Sequence, residues 1–399
     1  MSDISQGYIE LAHAIEQHQP HYIDGYFGPD EWRISETRPL AALAEQADAL
    51  LQTVSTLEDG SRSTFLTAQL RAMQTSIAIL RGESVPYAEE VRRLYDIEPV
   101  RVPEQRFEEA IKALEKLLPG SGPIAEREQA FRAQFHVTAE RVLGIVESII
   151  AELRRRTLAT FGLPEGESFE VRLVKNEPWG AYNWYLGNYH SRIDLNTDLP
   201  TYLTGLPDLI AHEAYPGHHT EHALKEEHLW HDHGHAEHTI LLINTPECVI
   251  SEGIAMRARQ MIMEDEELRE WIAGELAEQA GLRGAPFETM FAINEAKKAM
   301  SYVSPNAALL LHEDGASEEE VLAYLQRYRL ATPDEARKSL AFISHPTFRS
   351  YAFTYTVGAD MLDELFARGA ARESFAHLLK DPFTPGVLRA WGGAGGAKP

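Results

Sequence analysis

The segment DLIAHEAYPGHHTEH, residues 208–222, constrains the fold of this 399-residue chain more than any other stretch. Its apolar lead-in predicts a helix through His212, and Pro216 must interrupt that helix because proline has no N–H to bond the carbonyl of His212. Gly217 relaxes the adjoining backbone. On an unbroken helix His218 would lie about 120° around the axis from His212, whereas a two-residue bulge returns it to the same side. The sequence therefore predicts a break that brings two histidines together.

A His-Glu pair followed by a second histidine resembles the HExxH pattern of zinc peptidases, in which two histidines bind the metal and the glutamate activates water. The fourth residue after His212 is a proline, so the chain departs from HExxH, and the break makes His218 the predicted second ligand. His219 and His222 are alternatives for that ligand. Glu213 is the predicted general base. A Pro-Gly turn in a histidine-rich loop is the alternative without a metal.

Glu252 is the predicted third ligand. A threonine N-cap followed by a proline predicts a helix over 246–263, and Glu252 lies in its second turn among apolar residues. A carboxylate there is costly unless it is paired or bound to a metal. Glu247 is a competitor, but it falls in the first turn, where acids interact with the helix dipole. We therefore expect one zinc ion per chain, bound by His212, His218 and Glu252.

Two tyrosines mark a further candidate helix within SHPTFRSYAFTYTVGADMLDEL, residues 344–365. Tyr351, Tyr355 and Gly358 follow i, i+4, i+7 spacing and so share one face. A tyrosine hydroxyl can stabilise an oxyanion opposite a metal. Tyr355 is favoured for that role because Gly358 would leave room for a bound chain, and Tyr351 would then meet substrate farther along the cleft. Packing in the core is the alternative for both tyrosines.

Other residues carry weaker predictions. His345 and Arg349 are candidates for sharing the oxyanion role and for binding a substrate carboxylate, respectively. The segment 188–198 is predicted as an edge strand, which could pair with an extended substrate. The histidines over 228–238 are predicted to form a solvated polar loop, with adventitious metal binding or a lid as alternatives. Cys248 is predicted to be a small buried residue.

The hydrophobic periodicity predicts a mainly α fold in three regions. An N-terminal helical scaffold or lid region is predicted over 1–164, a metal-binding catalytic region over 165–385 and a flexible tail over 386–399. A small β-sheet is expected beside the active-site helix, from alternating segments at 169–176 and 190–196. The predicted N-terminal helices span about 4–18, 38–57, 62–82, 103–117 and 124–160.

Composition excludes several classes of protein. The chain has 44% hydrophobic and 25% charged residues, which is ordinary for a globular protein. Its 61 acidic and 37 basic residues give a formal net charge of −24, which disfavours nucleic acid and anionic membrane surfaces as partners. The single cysteine fits a reducing compartment, and the sequence has no signal-peptide pattern and no long apolar run. A cytoplasmic location is therefore predicted.

HEAYPGHH followed by SEGIA resembles the bacterial domain of unknown function 885 family, whose signature is HExxPGHxxQ with a downstream EGxA segment. The likeness extends over about 165–370, together with YIDGYFGP at 22–29. That family is similar to gluzincin metallopeptidases. The resemblance implies a large helical gluzincin-like fold, with the metal ligands and the base at the positions given above. One departure is Glu221, which stands where the signature has Gln.

The segment YAFTYTVG, residues 351–358, is similar to FGYFPTYxLG of the thermostable carboxypeptidase Taq family, a helical zinc peptidase. Together these features predict a zinc-dependent metallohydrolase, a peptidase that cleaves small peptides. Carboxypeptidase action is the first expectation for its mode and depends on this segment and on Arg349. The alternatives are a zinc amidase acting on a non-peptide amide or modified amino acid, and a catalytically silent metal-binding or interaction protein. Substrate length and oligomeric state stay open.

Overall fold

A computed structural model describes residues 2–393 except 59, 176, 178, 179 and 199. The protein is mainly α-helical with small β-sheets, as predicted. The α-helices of the described residues are α1 (Ser2–Glu16), α2 (Leu40–Val54), α3 (Gly60–Leu80), α4 (Tyr87–Tyr95), α5 (Gln105–Leu117), α6 (Ile124–Arg132), α7 (Ala139–Phe161), α8 (Leu206–Glu213), α9 (His218–Lys225), α10 (Pro246–Arg257), α11 (Asp265–Trp271), α12 (Ala277–Ala280), α13 (Phe287–Lys298), α14 (Val303–His312), α15 (Glu318–Arg329), α16 (Pro333–Ser344), α17 (Ala352–Phe366), α18 (Ala371–Leu378) and α19 (Pro385–Ala390).

The strands form two small sheets. They are β1 (Ile23–Tyr26), β2 (Ser168–Val174), β3 (Ala181–Gly187), β4 (His190–Asn196) and β5 (Ile240–Leu242). Strand β1 pairs antiparallel with β5, and the other sheet has the order β2-β4-β3. Within that sheet β4 is parallel to β2 and antiparallel to β3.

The prediction of an edge strand over 188–198 is wrong in one respect. Strand β4 occupies that segment, but it is hydrogen-bonded on both sides and is therefore the central strand. The physical reason is the tight turn through Asn188 and Tyr189, which folds β3 back against β4. Strand β3 takes the edge position. Asn176, at the end of the first predicted strand, lies outside the described residues.

The single helix predicted over 124–160 is also wrong, because the structure divides it into α6 and α7. Between them the backbone is extended at His136, and the N–H of Val137 donates to the carbonyl of Thr201 at 2.8 Å. This bond replaces a hydrogen bond within the helix. Phe131 and Phe135 before the break and Val142 after it are all buried, so the apolar periodicity continues although the helix does not.

Helix α10 begins at Pro246, as the sequence predicts, but it ends at Arg257 and not near residue 263. A short 3₁₀ turn over Arg259–Met261 follows it. Thr245 precedes the helix in an extended conformation, yet its hydroxyl donates to the carbonyl of Leu242 and makes no capping bond. Proline at the first helical position, where no N–H is needed, is therefore the signal that sets the start of α10.

The buried apolar residues form two clusters that do not coincide with the predicted regions. A smaller cluster joins α1, α2 and α3 to β5. The larger cluster contains α4 to α7 together with the helices from α8 to the C-terminus. The helices after about residue 80 therefore share a core with the metal-binding region, although the sequence groups them with the N-terminal scaffold. Their apolar faces are covered by helices such as α13, which packs against α5.

The flexible tail predicted over 386–399 begins too early. Residues 385–390 form α19, and Trp391 is only 1% exposed, stacked against Phe383. Residues 394–399 lie outside the described part of the chain. Among the described residues, no helix combines the length and the apolar character needed to cross a membrane.

Candidate metal centre

The helix break places the histidines as the sequence predicts. Helix α8 ends at Glu213, and α9 begins at His218. Between them the N–H of Gly217 donates to the carbonyl of Ala211 at 2.9 Å, so the chain folds tightly against the end of α8. A Cβ at Gly217 would lie 2.0 Å from the carbonyl oxygen of His212, which is a clash. Glycine is therefore required where the two helices meet.

Three predicted ligands converge at this junction. The Oε2 atom of Glu252, on α10, lies 3.4 Å from Nε2 of His212 and 3.9 Å from Nε2 of His218. The ligand atoms of the three residues all lie within 4.8 Å of one another. The two imidazole rings are perpendicular, with centroids 4.8 Å apart. Two imidazole nitrogens and one carboxylate oxygen form the donor set of a catalytic zinc site.

The surroundings of the Glu252 carboxylate show whether these three residues suit a cation. Glu252 is 4% exposed, and its Oε2 atom has no hydrogen-bond partner among the described residues. Its Oε1 atom accepts a bond of 2.7 Å from the hydroxyl of Tyr351. Burial raises the pKa of Glu252 to about 7. An unpaired buried carboxylate oxygen is costly, and a metal cation between it and the two histidines would remove that cost.

The pKa values of the two histidines shift in opposite directions. Burial lowers the pKa of His212 well below its ordinary value, and the neighbouring His218 adds to the effect. For His218, burial is outweighed by the interaction with Glu221 and by the charges of Glu252 and Glu213, which raise the pKa to about 9. Metal ligation requires both rings in the deprotonated form at the ligating nitrogen.

Glu213 and Tyr355 lie beside the predicted ligands. Burial raises the pKa of Glu213 to about 7, and the charges of Glu252 and Asp24 contribute. The ring of Tyr355 is 6.5 Å from that of His212, centroid to centroid. Tyr355 extends from α17, which packs closely against α10.

The role assigned to Gly358 is wrong. The sequence suggests that it leaves space for a bound chain, but a Cβ at Gly358 would lie 2.3 Å from the carbonyl oxygen of Val249 on α10. The space is filled by the neighbouring helix. Gly358 therefore allows α10 and α17 to approach, which brings Tyr351 within reach of Glu252.

The alternatives to His218 have other partners. Both ring nitrogens of His219 are engaged, one 2.8 Å from the hydroxyl of Ser191 and one 3.1 Å from Oε2 of Glu167. His222 stacks on His218 with the rings 5.9 Å apart. Neither belongs to the convergent set of ligand atoms.

The structure does not bring His345 and Arg349 into the ligand set. The Arg349 guanidinium pairs with both carboxylate oxygens of Glu90, a residue that is 2% exposed. A guanidinium held in this way is not free to bind a substrate carboxylate. His345 ends α16, where its ring contacts Phe348 and His21. These contacts do not support the roles predicted for the two residues.

Asp24 and Tyr182 were missed by the sequence-based prediction. Asp24, on β1, accepts a short hydrogen bond from the Tyr182 hydroxyl on β3. Beside Tyr182, the side-chain amide of Asn183 donates to the carbonyl of Glu213. Burial raises the pKa of Asp24, and the charge of His218 lowers it. The YIDGYFGP segment, which contains Asp24, stands out in the sequence, but only the fold shows that this residue lies near the predicted ligands.

The histidine-rich segment is mostly helical and not a loop, although His231 and His233 are exposed to solvent as predicted. Residues 226–232 form a π-helical extension of α9, and Glu226 within it accepts from the backbone N–H groups of Asn188 and Tyr189. His238 is 6% exposed and packs on Phe65. Cys248 is buried as predicted, with its thiol 2.8 Å from the carbonyl of Leu242.

Comparison with known proteins gives likeness of fold only. No protein-family model and no curated protein matches the chain. A solved structure described as a "putative lipoprotein" from Colwellia psychrerythraea is similar with a TM-score of 0.51 at 14% identity, over 88% of this chain and 68% of that one. Another "putative lipoprotein of unknown function", from Shewanella oneidensis, has a TM-score of 0.47 at 15% identity, over 87% of this chain and 72% of that one. The first of these shares the overall fold.

Proposed function

We propose that this protein is a zinc-dependent hydrolase, and that its substrates are small peptides. The observation that carries the proposal is the buried Oε2 atom of Glu252, which has no hydrogen-bond partner among the described residues and faces Nε2 of His212 and of His218. These three residues would hold one zinc ion. Zinc bound there would supply Lewis acidity and lower the pKa of water toward about 7.

The remaining residues fit the proton transfers of amide hydrolysis. Glu213 takes a proton from the attacking water and passes it to the leaving amine, a task that suits a carboxylate with a pKa near 7. The hydroxyl of Tyr355 donates to the developing oxyanion. Tyr351 donates to Glu252 and orients this ligand, so its hydroxyl is already engaged and does not bind the substrate.

Arg349 is not free to bind the terminal carboxylate of a peptide substrate. Carboxypeptidase action needs a cation for the terminal carboxylate, and Arg349 is already paired with Glu90. Lys225 is likewise paired, with Glu221 and Glu247. The edge strand β3 lies beside α8 and suits an extended backbone. We therefore propose peptide hydrolysis, and we do not assign the cleavage to the C-terminal end of the peptide.

Metal analysis and a peptide-library screen test the proposal together. We expect purified protein to bind one zinc ion and to cleave peptides detected by mass spectrometry, whereas His212→Ala and Glu252→Ala should lose both properties. His219→Ala serves as the matched control, since His219 neighbours a ligand but bonds to Glu167 and Ser191. Full zinc affinity in Glu252→Ala would contradict the site. Zinc binding without any hydrolysis would leave a metal-binding protein in place of an enzyme.

A further inference from the structure

A chain of buried polar side chains leads away from His218. The Oγ atom of Ser251 lies 3.1 Å from Nδ1 of His218 and 2.6 Å from Oε2 of Glu221. The other oxygen of Glu221 accepts from the Lys225 ammonium at 2.7 Å, and Lys225 also donates to Glu247 at 3.0 Å. Glu221 is fully buried, and Lys225 is 5% exposed. A side-chain network this deep must be satisfied throughout to be stable.

The direction of each bond in this network follows from counting protons. Glu221 is the carboxylate partner of a buried ion pair, because the Lys225 ammonium donates to its Oε1 atom at 2.7 Å. An ionised carboxylate only accepts, so the single hydroxyl proton of Ser251 goes to Glu221. Ser251 must then accept from Nδ1–H of His218. In a neutral ring this leaves the lone pair on Nε2, the atom that faces Glu252.

We propose that Ser251 is a positioning residue which, anchored by Glu221 and Lys225, fixes the ring orientation and the tautomer of His218 for metal binding. The inference rests on the zinc site proposed above. It also gives a reason for the carboxylate at position 221. A glutamine there could donate as well as accept, whereas Glu221 admits only one direction for the Ser251 hydroxyl. Loss of such an indirect partner typically lowers metal affinity by about 10- to 100-fold.

Removal of the Ser251 hydroxyl tests the proposal. We expect Ser251→Ala to weaken zinc binding by about 10- to 100-fold, measured by competition with a chelator. Ser251→Thr keeps the hydroxyl and should stay within about threefold of the wild type. In the same way Glu221→Gln, which can still accept from Ser251, should lose less affinity than Glu221→Ala.

Ser5→Ala is the matched control. The Ser5 hydroxyl donates to Oε2 of Glu237 at 2.7 Å, and that glutamate is paired with Arg62, so the same kind of buried bond is removed far along the chain from the ligands. We expect Ser5→Ala to change thermal stability but not zinc affinity. The visible absorption of the cobalt(II)-substituted protein should change in Ser251→Ala and stay the same in Ser5→Ala.

Each outcome decides between the two proposals. If the wild type binds zinc and Ser251→Ala binds it equally well with an unchanged cobalt spectrum, the role of Ser251 is overturned and the zinc site stands. Equal losses of affinity in Ser251→Ala and Ser5→Ala would also overturn it, because the effect would be one of general stability. A wild-type protein that binds no zinc would overturn the proposed function, and this inference with it.

Discussion

Two tyrosines that share a helix face have different partners at the residue scale. Tyr351 precedes α17 and donates to Glu252, while Tyr355, one turn later, lies near His212 and has no hydrogen bond to a predicted ligand among the described residues. Burial raises the pKa of both phenols, and the charge of Glu252 adds to it, so both hydroxyls keep their protons. In the proposed hydrolase, one tyrosine would therefore support the metal centre, and the other would be available to a reacting group.

Substitution of the two tyrosines should separate these roles. Tyr355→Phe removes the oxyanion donor and should lower kcat by about 100-fold or more, with KM nearly unchanged. Tyr351→Phe leaves Glu252 without its only hydrogen-bond donor among the described residues, and we expect it to weaken zinc binding by about tenfold. Steady-state kinetics at saturating zinc and a chelator titration measure the two effects. The reverse pattern would exchange the roles, and two silent variants would return both tyrosines to core packing.

Glu213 is tested by a change that keeps its shape. Glu213→Gln cannot take up a proton, so we expect it to retain zinc and to lose activity by about 100-fold or more. Zinc content is measured alongside peptide turnover, so that a lost base is distinguished from a lost ligand. Retained turnover would remove Glu213 as the base, and loss of zinc would point to a role in ligation.

At the scale of secondary structure, the contact between α10 and α17 decides where Glu252, the proposed third ligand, lies. Glu252 is on α10, and Tyr351 and Tyr355 are at the start of α17. The two helices approach closely because Gly358 presents no side chain to the backbone of α10. The helix break at Pro216 and the close approach of α10 and α17 together bring His212, His218 and Glu252 to one place.

Gly358→Ala should therefore disturb both stability and metal binding. A Cβ 2.3 Å from the carbonyl oxygen of Val249 must push the helices apart, at a cost of about 1–3 kcal/mol. Gly144→Ala is the control, because Gly144 lies within α7 with open space around it, and alanine there should stabilise the helix by about 0.5–1 kcal/mol. Urea unfolding and zinc titration check both variants. Equal behaviour of the two would contradict the close approach.

At the scale of the whole molecule, a buried ion pair joins the two ends of the smaller apolar cluster. Arg62 on α3 bonds both carboxylate oxygens of Glu237, and Ser5 on α1 bonds the same group. Glu237 precedes β5, which pairs with β1. Strand β1 carries Asp24, which bonds Tyr182 on β3, so this ion pair helps to hold the N-terminal helices against the part of the chain that contains the two sheets.

Acid should weaken the ion pair between Arg62 and Glu237 and lower the free energy of unfolding. Burial raises the pKa of Glu237, but the bonds to Arg62 outweigh it and lower the pKa to about 2. Because the pKa of Glu237 in the folded protein is below its ordinary value of 4.5, the ion pair stabilises the fold fully above pH 4.5. This stabilisation is lost as the pH falls toward 2. Burial also lowers the pKa of the adjacent His238 to about 4, so its protonation between pH 6.5 and 4 favours unfolding in the same direction. Urea unfolding at pH 7 and at pH 4 should show a loss of about 2–4 kcal/mol.

Arg62→Met should cost about 3–5 kcal/mol at pH 7, because it leaves Glu237 buried without its partner. The difference from the wild type should shrink as the pH falls, because burial without Arg62 lets Glu237 take up a proton above its ordinary pKa of 4.5 in the variant. Arg337→Met is the control, since Arg337 pairs with Asp334 on the surface and contributes little. Equal costs for both substitutions at pH 7 would contradict a special role for the pair.

The sequence by itself determined the local features of this protein. The mainly α character follows from hydrophobic periodicity, and the break after Glu213 follows from a proline without an N–H and a glycine without a Cβ. The convergence of His212 with His218 depends on this same short segment. Glu252 was identifiable because a carboxylate among apolar helix positions is costly wherever the helix packs.

Only the tertiary structure decided which distant residues meet. Arg349 pairs with Glu90, and Asp24 reaches Tyr182, across separations of 259 and 158 residues that no local pattern encodes. The central position of β4 and the division of the apolar core likewise depend on pairing between remote segments. Backbone chemistry acts over a few residues and is readable in the sequence, whereas burial and charge pairing depend on the whole fold and assign each side chain its partner.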